Sequence, residues 1–287
     1  MAAGSLLAAT GMAAPAARAD APRPRLAAID WAMLETAVAL GHMPVAVCEL
    51  IRYREDAVEP VIPADVTDLG LRGSPNYELL QLVRPDLILT SPFYAQHQAR
   101  FETIAPVLSL PFYTPGTPPL APAFAALDAM ADALNDPGAA LRARAAAEAE
   151  IAALIPRLAP FNDRPVSLID IGDARHIRSF GFDSMFGDML ARLGLTNGWT
   201  DPTQFSFRAP LPLERLADVP DARVVIVGPI PVEAREGIAR SVLWNALPAV
   251  AENRVYQLQT VNAFGGILAG LRFARLLTQA FETGPVA

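Results

Sequence analysis

Residues 136–156 read DPGAALRARAAAEAEIAALIP, and this segment predicts one long helix. It opens with Asp-Pro, an N-cap residue followed by a proline at the first helical position, where a missing backbone N–H costs nothing. Its interior consists almost entirely of Ala, Leu, Ile, Arg and Glu, which have a low free-energy cost in a helix. Within it, Arg144 and Glu148 have the spacing of a helical ion pair. We therefore predict a connecting helix over residues 136–157.

Similar segments lie on both sides of this helix. Residues 75–92 and residues 212–229 each read as a short helix, a Pro-Asp turn, a buried apolar strand and a loop that ends in proline. Strands that alternate with helices are typical of parallel sheets. We therefore predict an α/β fold of two lobes with parallel-type sheets, over residues 25–135 and 163–283. Because ligands collect at the carboxyl ends of such strands, the lobes should face each other across a cleft.

Composition excludes several classes of partner and site. The chain has 287 residues, a net charge of −7 and no block of Lys and Arg, which argues against a nucleic-acid partner. Its single cysteine, Cys48, cannot form an intrachain disulfide and reads as a buried apolar residue. The three histidines have no metal-ligand spacing, so we predict no metal site made of protein side chains.

The N-terminal segment, residues 1–19, is small and apolar and ends in an A-x-A pattern at Ala19. This pattern predicts a signal peptide that is cleaved near Ala19, and hence export to the periplasm. Because the segment lacks a basic n-region, two alternatives stay open: a start upstream of Met1, and an Ala-rich tail without fixed structure. No later apolar run is long enough to cross a bilayer.

The motifs of the common catalytic families are missing from the sequence. It contains no G-x-S-x-G, no Walker A, no G-x-G-x-x-G after a strand and no C-x-x-C. A serine triad can be assembled only by choosing Asp170, His176 and Ser184 by hand. We therefore predict that the protein is not an enzyme, with a small exported hydrolase as the rival from another class.

Polar and aromatic side chains in loops at strand ends are better candidates for function. Arg72 lies in a glycine-rich turn before a helix N-terminus, Tyr94 follows the third strand, and Arg208 lies in a loop of the second lobe. Arginine from each lobe together with a tyrosine would suit an anionic, oxygen-rich ligand. The alternatives are a solvated Arg72, an interface Tyr94 and an Arg208 that points outward. Phe205 and Phe207 lie at alternate positions in the same loop as Arg208 and could be core, ligand wall, or one of each.

Several short blocks carry a more specific signal. They are, in chain order, DLGLR at 68–72, PN at 75–76, ELL at 78–80, Tyr94, IAP at 104–106, Asn197, Trp199 and ERLA at 214–217. In this order and spacing they resemble the ferric-siderophore branch of the periplasmic substrate-binding proteins of ABC importers, and within it the hydroxamate binders. The resemblance covers the chain from about Arg25 to Ala280.

The resemblance implies a fold of two α/β lobes bridged by one long helix, which would keep closure of the cleft small. It implies a monomeric, non-enzymatic receptor that binds a ferric siderophore and delivers it to an inner-membrane ABC permease. The siderophore would chelate the iron, so no cofactor is expected. In that family an arginine at the Arg72 position and a tyrosine at the Tyr94 position hydrogen-bond the iron-chelating oxygens. A haem or cobalamin receptor of the same fold is the alternative.

The sequence departs from hydroxamate binders where tryptophans would line the cleft. Thr90, Ser206 and Asn262 stand at such positions, which makes the expected pocket more polar and favours a carboxylate-containing, citrate-type ligand. The predicted ligand contacts are Tyr53, Arg72, Thr90, Tyr94, Phe205, Ser206, Phe207, Arg208, Asn262 and Phe264.

Docking to the permease is implied to use one acidic residue on each lobe. Glu214 matches the position in the second lobe. The position in the first lobe is occupied by Ala99, so Glu102 is the nearest acidic substitute.

Overall fold

The computed structural model describes residues 23–201 and 210–286. The predicted signal peptide lies outside the described residues, and so do Phe205, Ser206, Phe207 and Arg208.

The N-terminal lobe is built on a parallel sheet. Its strands are β1 (Leu26–Ala28), β2 (Ala46–Val47), β3 (Thr67–Asp68), β4 (Gly70–Leu71), β5 (Ser74–Pro75), β6 (Leu87–Thr90) and β7 (Val107–Ser109). Its helices are α1 (Trp31–Ala39), α2 (Leu50–Asp56), α3 (Tyr77–Val83), α4 (Gln98–Phe101) and α5 (Leu120–Ala133), with a 3-10 segment at Pro92–His97. The sheet has the parallel order β3-β2-β1-β6-β7, whereas β4 and β5 form a separate hairpin. The parallel sheet predicted for this lobe is confirmed.

The central strand β1 explains why this sheet is covered on both faces. Leu26 and Ala28 belong to one buried cluster, and Ala27 belongs to another. Successive side chains of a strand point to opposite faces, so a continuous apolar strand requires packing on both.

The connecting helix is α6 (Pro137–Leu158), one residue displaced from the predicted range. The Asp136 side chain caps it by accepting a hydrogen bond from the Ala139 backbone N–H at 3.1 Å. The ion pair predicted within the helix is wrong, because Arg144 binds Asp128 of α5 at 2.6 Å instead.

The C-terminal lobe holds the second sheet. Its described strands are β8 (Val166–Ile171), β9 (His176–Ser179), β10 (Leu211–Pro212), β11 (Arg223–Ile226) and β12 (Val255–Gln257), in the order β10-β9-β8-β11-β12. The helices are α7 (Met185–Arg192), α8 (Val232–Ala239), α9 (Val242–Ala246), α10 (Pro248–Ala251) and α11 (Ile267–Thr283), with 3-10 segments at Ala159–Phe161 and Leu213–Asp218. Strands β8, β11 and β12 are parallel, but β9 is antiparallel to both of its neighbours. The prediction of a parallel-type sheet therefore holds for the centre of this sheet and fails at β9, a strand that the sequence analysis missed.

A shared layer of helices joins the two lobes. Helix α11 packs against α1 of the first lobe, against α6 and against α7. Its Phe273 stacks on Phe186 of α7 with ring centroids 4.7 Å apart. The largest buried cluster also includes Leu34 of α1 and Ile151 of α6. Since one close-packed core holds side chains from both lobes, it supports the expectation of a small closure.

Ion pairs reinforce this junction. Glu59, in the loop after α2, accepts hydrogen bonds from Arg272 and Arg275 of α11, each at 2.6 Å. Arg275 also binds Glu150 of the connecting helix at 2.6 Å. The loop, the connecting helix and α11 are thus linked by one network.

Helix α2 lies in a segment whose sequence does not suggest a helix. Residues 51–63 are rich in charged residues and proline, which is typical of a loop, but α2 covers the first part of this segment. Leu50 and Tyr53 lie three positions apart and are buried together on one helical face, a pattern that the surrounding charged residues obscure. Among the described helices, none is both long enough and apolar enough to cross a membrane.

Candidate binding cleft

A cavity of about 390 Å³ lies between the lobes. The first lobe contributes the tip of the β4–β5 hairpin, α2 and the start of α1. The second lobe contributes the ends of β8 and β11, strand β9 and the loop before α11. The lining residues discussed below are Trp31, Arg52, Asp56, Arg72, Asp170, Arg178, Phe186, Asn262 and Phe264.

Arg72 lies at the tip of the hairpin and is fixed from two sides. Its Nε donates to Glu49 Oε2 at 2.8 Å, and its backbone N–H donates to Glu49 Oε1 at 3.3 Å. The guanidinium also lies over the Trp31 ring, 3.9 Å from the ring centroid. An ion pair along one edge and a cation–π contact on one face hold the guanidinium in a defined orientation at the cavity wall.

Tyr94 lies in the 3-10 segment after β6, is largely buried and is not among the residues that line the cavity. Burial raises the pKa of the Tyr94 hydroxyl to about 12, while the charge of Arg72 acts in the opposite direction. The hydroxyl is therefore neutral at physiological pH and available as a hydrogen-bond donor.

Two residues predicted to contact the ligand, Tyr53 and Thr90, are buried and do not line the cavity. Tyr53 is fully buried and packs edge-on against Trp31, with ring centroids 5.2 Å apart, because α2 turns it into the core. Thr90 is buried at the end of strand β6, and its hydroxyl has no hydrogen-bond partner within the described residues. Neither side chain lines the cavity; Tyr53 instead supports Trp31 from behind.

Asn262 and Phe264 do line the cavity, and a buried carboxylate positions their loop. Glu35 of α1 is fully buried and accepts hydrogen bonds from Asn262 Nδ2 at 2.8 Å, Gly266 N at 2.8 Å and Ala269 N at 3.1 Å. Burial raises the pKa of Glu35 to about 8, and these three hydrogen bonds act in the opposite direction. A residue of the first lobe thus caps α11 of the second lobe.

The glycine before α11 fits this contact. A Cβ atom on Gly265 would collide with the Glu35 carboxylate and with the Ala269 side chain. The sequence analysis overlooked Glu35, and the Gly265-Gly266 dipeptide was the available signal.

Two further guanidinium–carboxylate pairs line the cavity and were also missed. Arg52 Nε donates to Asp56 Oδ2 at 2.9 Å, one turn along α2. In the second lobe Arg178 of β9 lies 3.4 Å from Asp170 of β8, measured from Nη1 to Oδ2. Arg178 lies in β9, the strand that the sequence analysis missed, whereas Asp170 lies near the carboxyl end of β8, where cleft residues are expected.

The side chains considered for other chemistry are engaged elsewhere. Ser184 caps α7, accepting from Gly187 N at 3.0 Å and donating to the Gly181 carbonyl. His176 binds Asp173 at 2.8 Å, so no serine triad forms with Asp170. Within residues 23–201 and 210–286, no three His, Cys, Asp or Glu side chains come together as a metal site.

The two predicted docking residues are exposed. Glu214 lies in the 3-10 segment Leu213–Asp218 of the second lobe. Glu102 follows α4 in the first lobe and accepts a hydrogen bond from Gln98 Nε2 at 2.9 Å.

Comparison with characterised proteins places this cleft in a known architecture. The iron(3+)-hydroxamate-binding protein FhuD of Escherichia coli (strain K12) is 33% identical over 256 residues, covering 89% of this chain and 86% of that protein. The achromobactin-binding periplasmic protein of Dickeya dadantii (strain 3937) is 28% identical over 261 residues, covering 82% of this chain and 78% of that protein.

Solved structures agree with this relationship. The Fe3+–Desferal-bound siderophore-binding protein FhuD from Vibrio cholerae matches with a TM-score of 0.84 and 25% identity, covering 92% of this chain and 100% of that chain. Staphylococcus aureus SirA, complexed with staphyloferrin B, shares the fold with a TM-score of 0.66 and 19% identity, over 92% of this chain and 95% of that chain. The model of the family described as "Periplasmic binding protein" matches residues 26–261. The chain therefore belongs to the periplasmic binding protein family, whose members bind substrates for transport and are not enzymes.

Proposed function

We propose that this protein captures a ferric siderophore in the interlobe cleft and delivers it to an inner-membrane ABC importer. The observation that carries the proposal is Arg72, which Glu49 and Trp31 hold at the wall of a cavity between the lobes. A volume of about 390 Å³ is within the range of small-molecule sites. The relatives named above, which bind ferric hydroxamate, achromobactin or Fe3+–Desferal, support a ligand of the same class.

The chemistry of Arg72 suits the oxygens that surround a chelated ferric ion. Its Nε is occupied by Glu49, but neither Nη nitrogen has a hydrogen-bond partner in the described part of the chain. Those N–H groups remain available to hydroxamate, catecholate or carboxylate oxygens, and charge-assisted hydrogen bonds of this kind are the stronger ones. The iron remains within the siderophore, and the protein binds the outer surface of the complex.

A haem or cobalamin receptor is the weaker candidate. Haem is held in proteins by axial His, Cys, Met or Tyr ligands. Among the described cavity-lining residues there is no side chain of these four types. His42 is paired with Asp136, and His97 with Tyr77, both away from the cavity.

A titration of the mature chain tests the proposal. Trp31 lies at the cavity wall under Arg72, so its fluorescence should be quenched by a bound ferric complex. Saturable quenching by at least one ferric siderophore, lost for its iron-free form, is the expected result. Saturable binding of haem or cobalamin, with no response to any ferric siderophore, would reject the proposed siderophore receptor and favour a haem or cobalamin receptor.

Export to the periplasm and action as a monomer complete the proposal. Periplasmic relatives support the location, and cleavage near Ala19 remains our prediction. The N-terminal sequence of the chain recovered from a periplasmic extract tests the cleavage site.

Docking to the permease gives a separate prediction. Glu214→Arg should abolish uptake of the ferric siderophore while leaving its affinity unchanged, because Glu214 is exposed and does not line the cavity. Transport of iron-55 by cells that carry the cognate permease measures the first effect, and the fluorescence titration measures the second. Glu236→Arg, on an exposed face of α8, is the matched control. Uptake that survives Glu214→Arg would show that other residues carry docking.

A further inference from the structure

Among the described residues that line the cleft, charged side chains are more exposed than the aromatic residues Trp31 and Phe186. Trp31 is only 4% exposed and Phe186 is fully buried, so both offer little surface to a ligand. In contrast, the side chains of Arg52 and Asp56 are 68% and 44% exposed, and those of Arg178 and Asp170 are 34% and 25% exposed. Among these six described side chains, the four charged ones therefore offer a ligand more of their surface than the two aromatic ones.

Arg52 presents the end of its guanidinium to the cleft. The Nε of Arg52 donates a hydrogen bond to Asp56, and within the described residues neither Nη nitrogen has a hydrogen-bond partner. Arg72 has the same arrangement, with Glu49 on its Nε. The two Nη nitrogens of a guanidinium form a fork that binds both oxygens of a carboxylate. On the first lobe, Asp56 and Glu49 thus orient Arg52 and Arg72. The Nη nitrogens of both arginines remain available to a ligand.

Arg178 places a third guanidinium on the opposite lobe. Its Nη1 lies 3.4 Å from Asp170 Oδ2, and its side chain is 34% exposed at the cavity wall. Asp170 stands at the carboxyl end of β8, so this pair lies where the strands of the second sheet open into the cleft. The three arginines of the described lining are thus each placed beside a carboxylate, from Asp56, Glu49 and Asp170 respectively.

We propose that Arg52 and Arg178 are specificity-determining residues that, together with Arg72, select ferric siderophores with carboxylate groups over neutral trihydroxamates. The inference rests on the proposed function and adds the ligand class and the residues that choose it. A carboxylate on the surface of the complex can bind an open guanidinium fork with both oxygens. A neutral trihydroxamate offers only uncharged groups at the same positions, and it gains most from exposed aromatic surface, of which Trp31 and Phe186 in the described lining offer little.

The test is an affinity panel measured on the full mature chain. The probes are ferric citrate, a ferric citrate–dihydroxamate complex and ferrichrome, which is a neutral ferric trihydroxamate. The variants are Arg52→Gln and Arg178→Gln. The matched control is Arg240→Gln, because Arg240 pairs with Glu236 one turn away on α8, as Arg52 pairs with Asp56, but does not line the cavity.

In the wild type, the carboxylate-bearing complexes should bind at least roughly tenfold tighter than ferrichrome, with affinity that falls as salt rises. Each variant should weaken binding of those complexes roughly three- to tenfold and change ferrichrome binding less than about twofold, as expected for partly exposed charged hydrogen bonds. Arg240→Gln should change neither. Thermal unfolding of each variant confirms that it is folded, and Arg52 lies on an exposed helical face where replacement leaves the core intact.

The outcomes separate the inference from the proposed function. Equal or tighter binding of ferrichrome by the wild type overturns the inference and leaves siderophore capture standing. The inference is also overturned, and siderophore capture still stands, if Arg52→Gln and Arg178→Gln lose the same affinity for ferrichrome as for the carboxylate-bearing complexes. If the wild type binds none of the three complexes and no other ferric siderophore, the proposed function falls, and the inference falls with it.

Discussion

Replacing Arg72 with alanine is expected to weaken ferric siderophore binding roughly ten- to a hundredfold. Hydrogen bonds to charged groups contribute about 1.5–3 kcal/mol, and each 1.4 kcal/mol is a factor of ten in affinity. The Arg72 guanidinium is already oriented by Glu49 and by the Trp31 ring, so little of that free energy is lost in ordering the side chain. Isothermal titration calorimetry of the wild type and of the folded variant, each with the tightest-binding ferric siderophore, measures this loss of affinity.

Two further variants sharpen this test. Arg72→Lys keeps the charge but loses the planar fork, so it should recover only part of the affinity. Arg240→Ala, at a residue that does not line the cavity, should bind as the wild type does. An Arg72→Ala protein that is folded and binds with unchanged affinity would remove Arg72 from the site.

The largest expected effect on stability is that of Glu35→Ala. This change leaves the buried N–H donors of Asn262, Gly266 and Ala269 without their acceptor. Leaving a buried polar group unpaired costs about 1–3 kcal/mol, and three donors lose their acceptor here. We expect the free energy of unfolding to fall by about 3 kcal/mol, measured by urea denaturation. Because Asn262 and Phe264 line the cavity from the same loop, affinity should fall as well.

Two comparisons isolate the role of Glu35. Glu35→Gln retains one acceptor oxygen and should lose less stability than Glu35→Ala. Glu148→Ala, on the exposed side of α6, should change the free energy of unfolding by less than about 0.5 kcal/mol. A Glu35→Ala protein as stable as the wild type would show that the carboxylate does not hold the junction between the lobes.

Local sequence patterns predicted the elements that depend on local interactions. The connecting helix was found to within one residue because capping, propensity and length all act within one segment. Its ion pair was not predictable, since Arg144 had a neighbour in sequence at Glu148 but a better partner on another helix, Asp128. Side-chain partners are chosen by tertiary packing, which spacing along one helix does not contain.

In the cleft, too, local sequence predicts some residues, whereas others become apparent only from tertiary packing. Arg72 stood out because its hairpin has a distinctive sequence, whereas Arg178 lies in an antiparallel strand that has no clear apolar alternation. Glu35 and Gly265 are 230 residues apart in sequence and belong to different lobes, so neither predicts the contact between them. Only a fold that brings α1 to the N-terminus of α11 gives the buried carboxylate its partners.

The location of the iron tests the central claim most directly. A crystal of the mature chain with its ferric siderophore, measured at the iron absorption edge, gives an anomalous difference peak at the metal. We predict a single peak in the interlobe cleft, with siderophore oxygens as its ligands and the Arg72 guanidinium and Tyr94 hydroxyl directed at those oxygens. A peak outside the cleft, or iron bound directly by aspartate, glutamate or tyrosine side chains of the protein, would contradict this account.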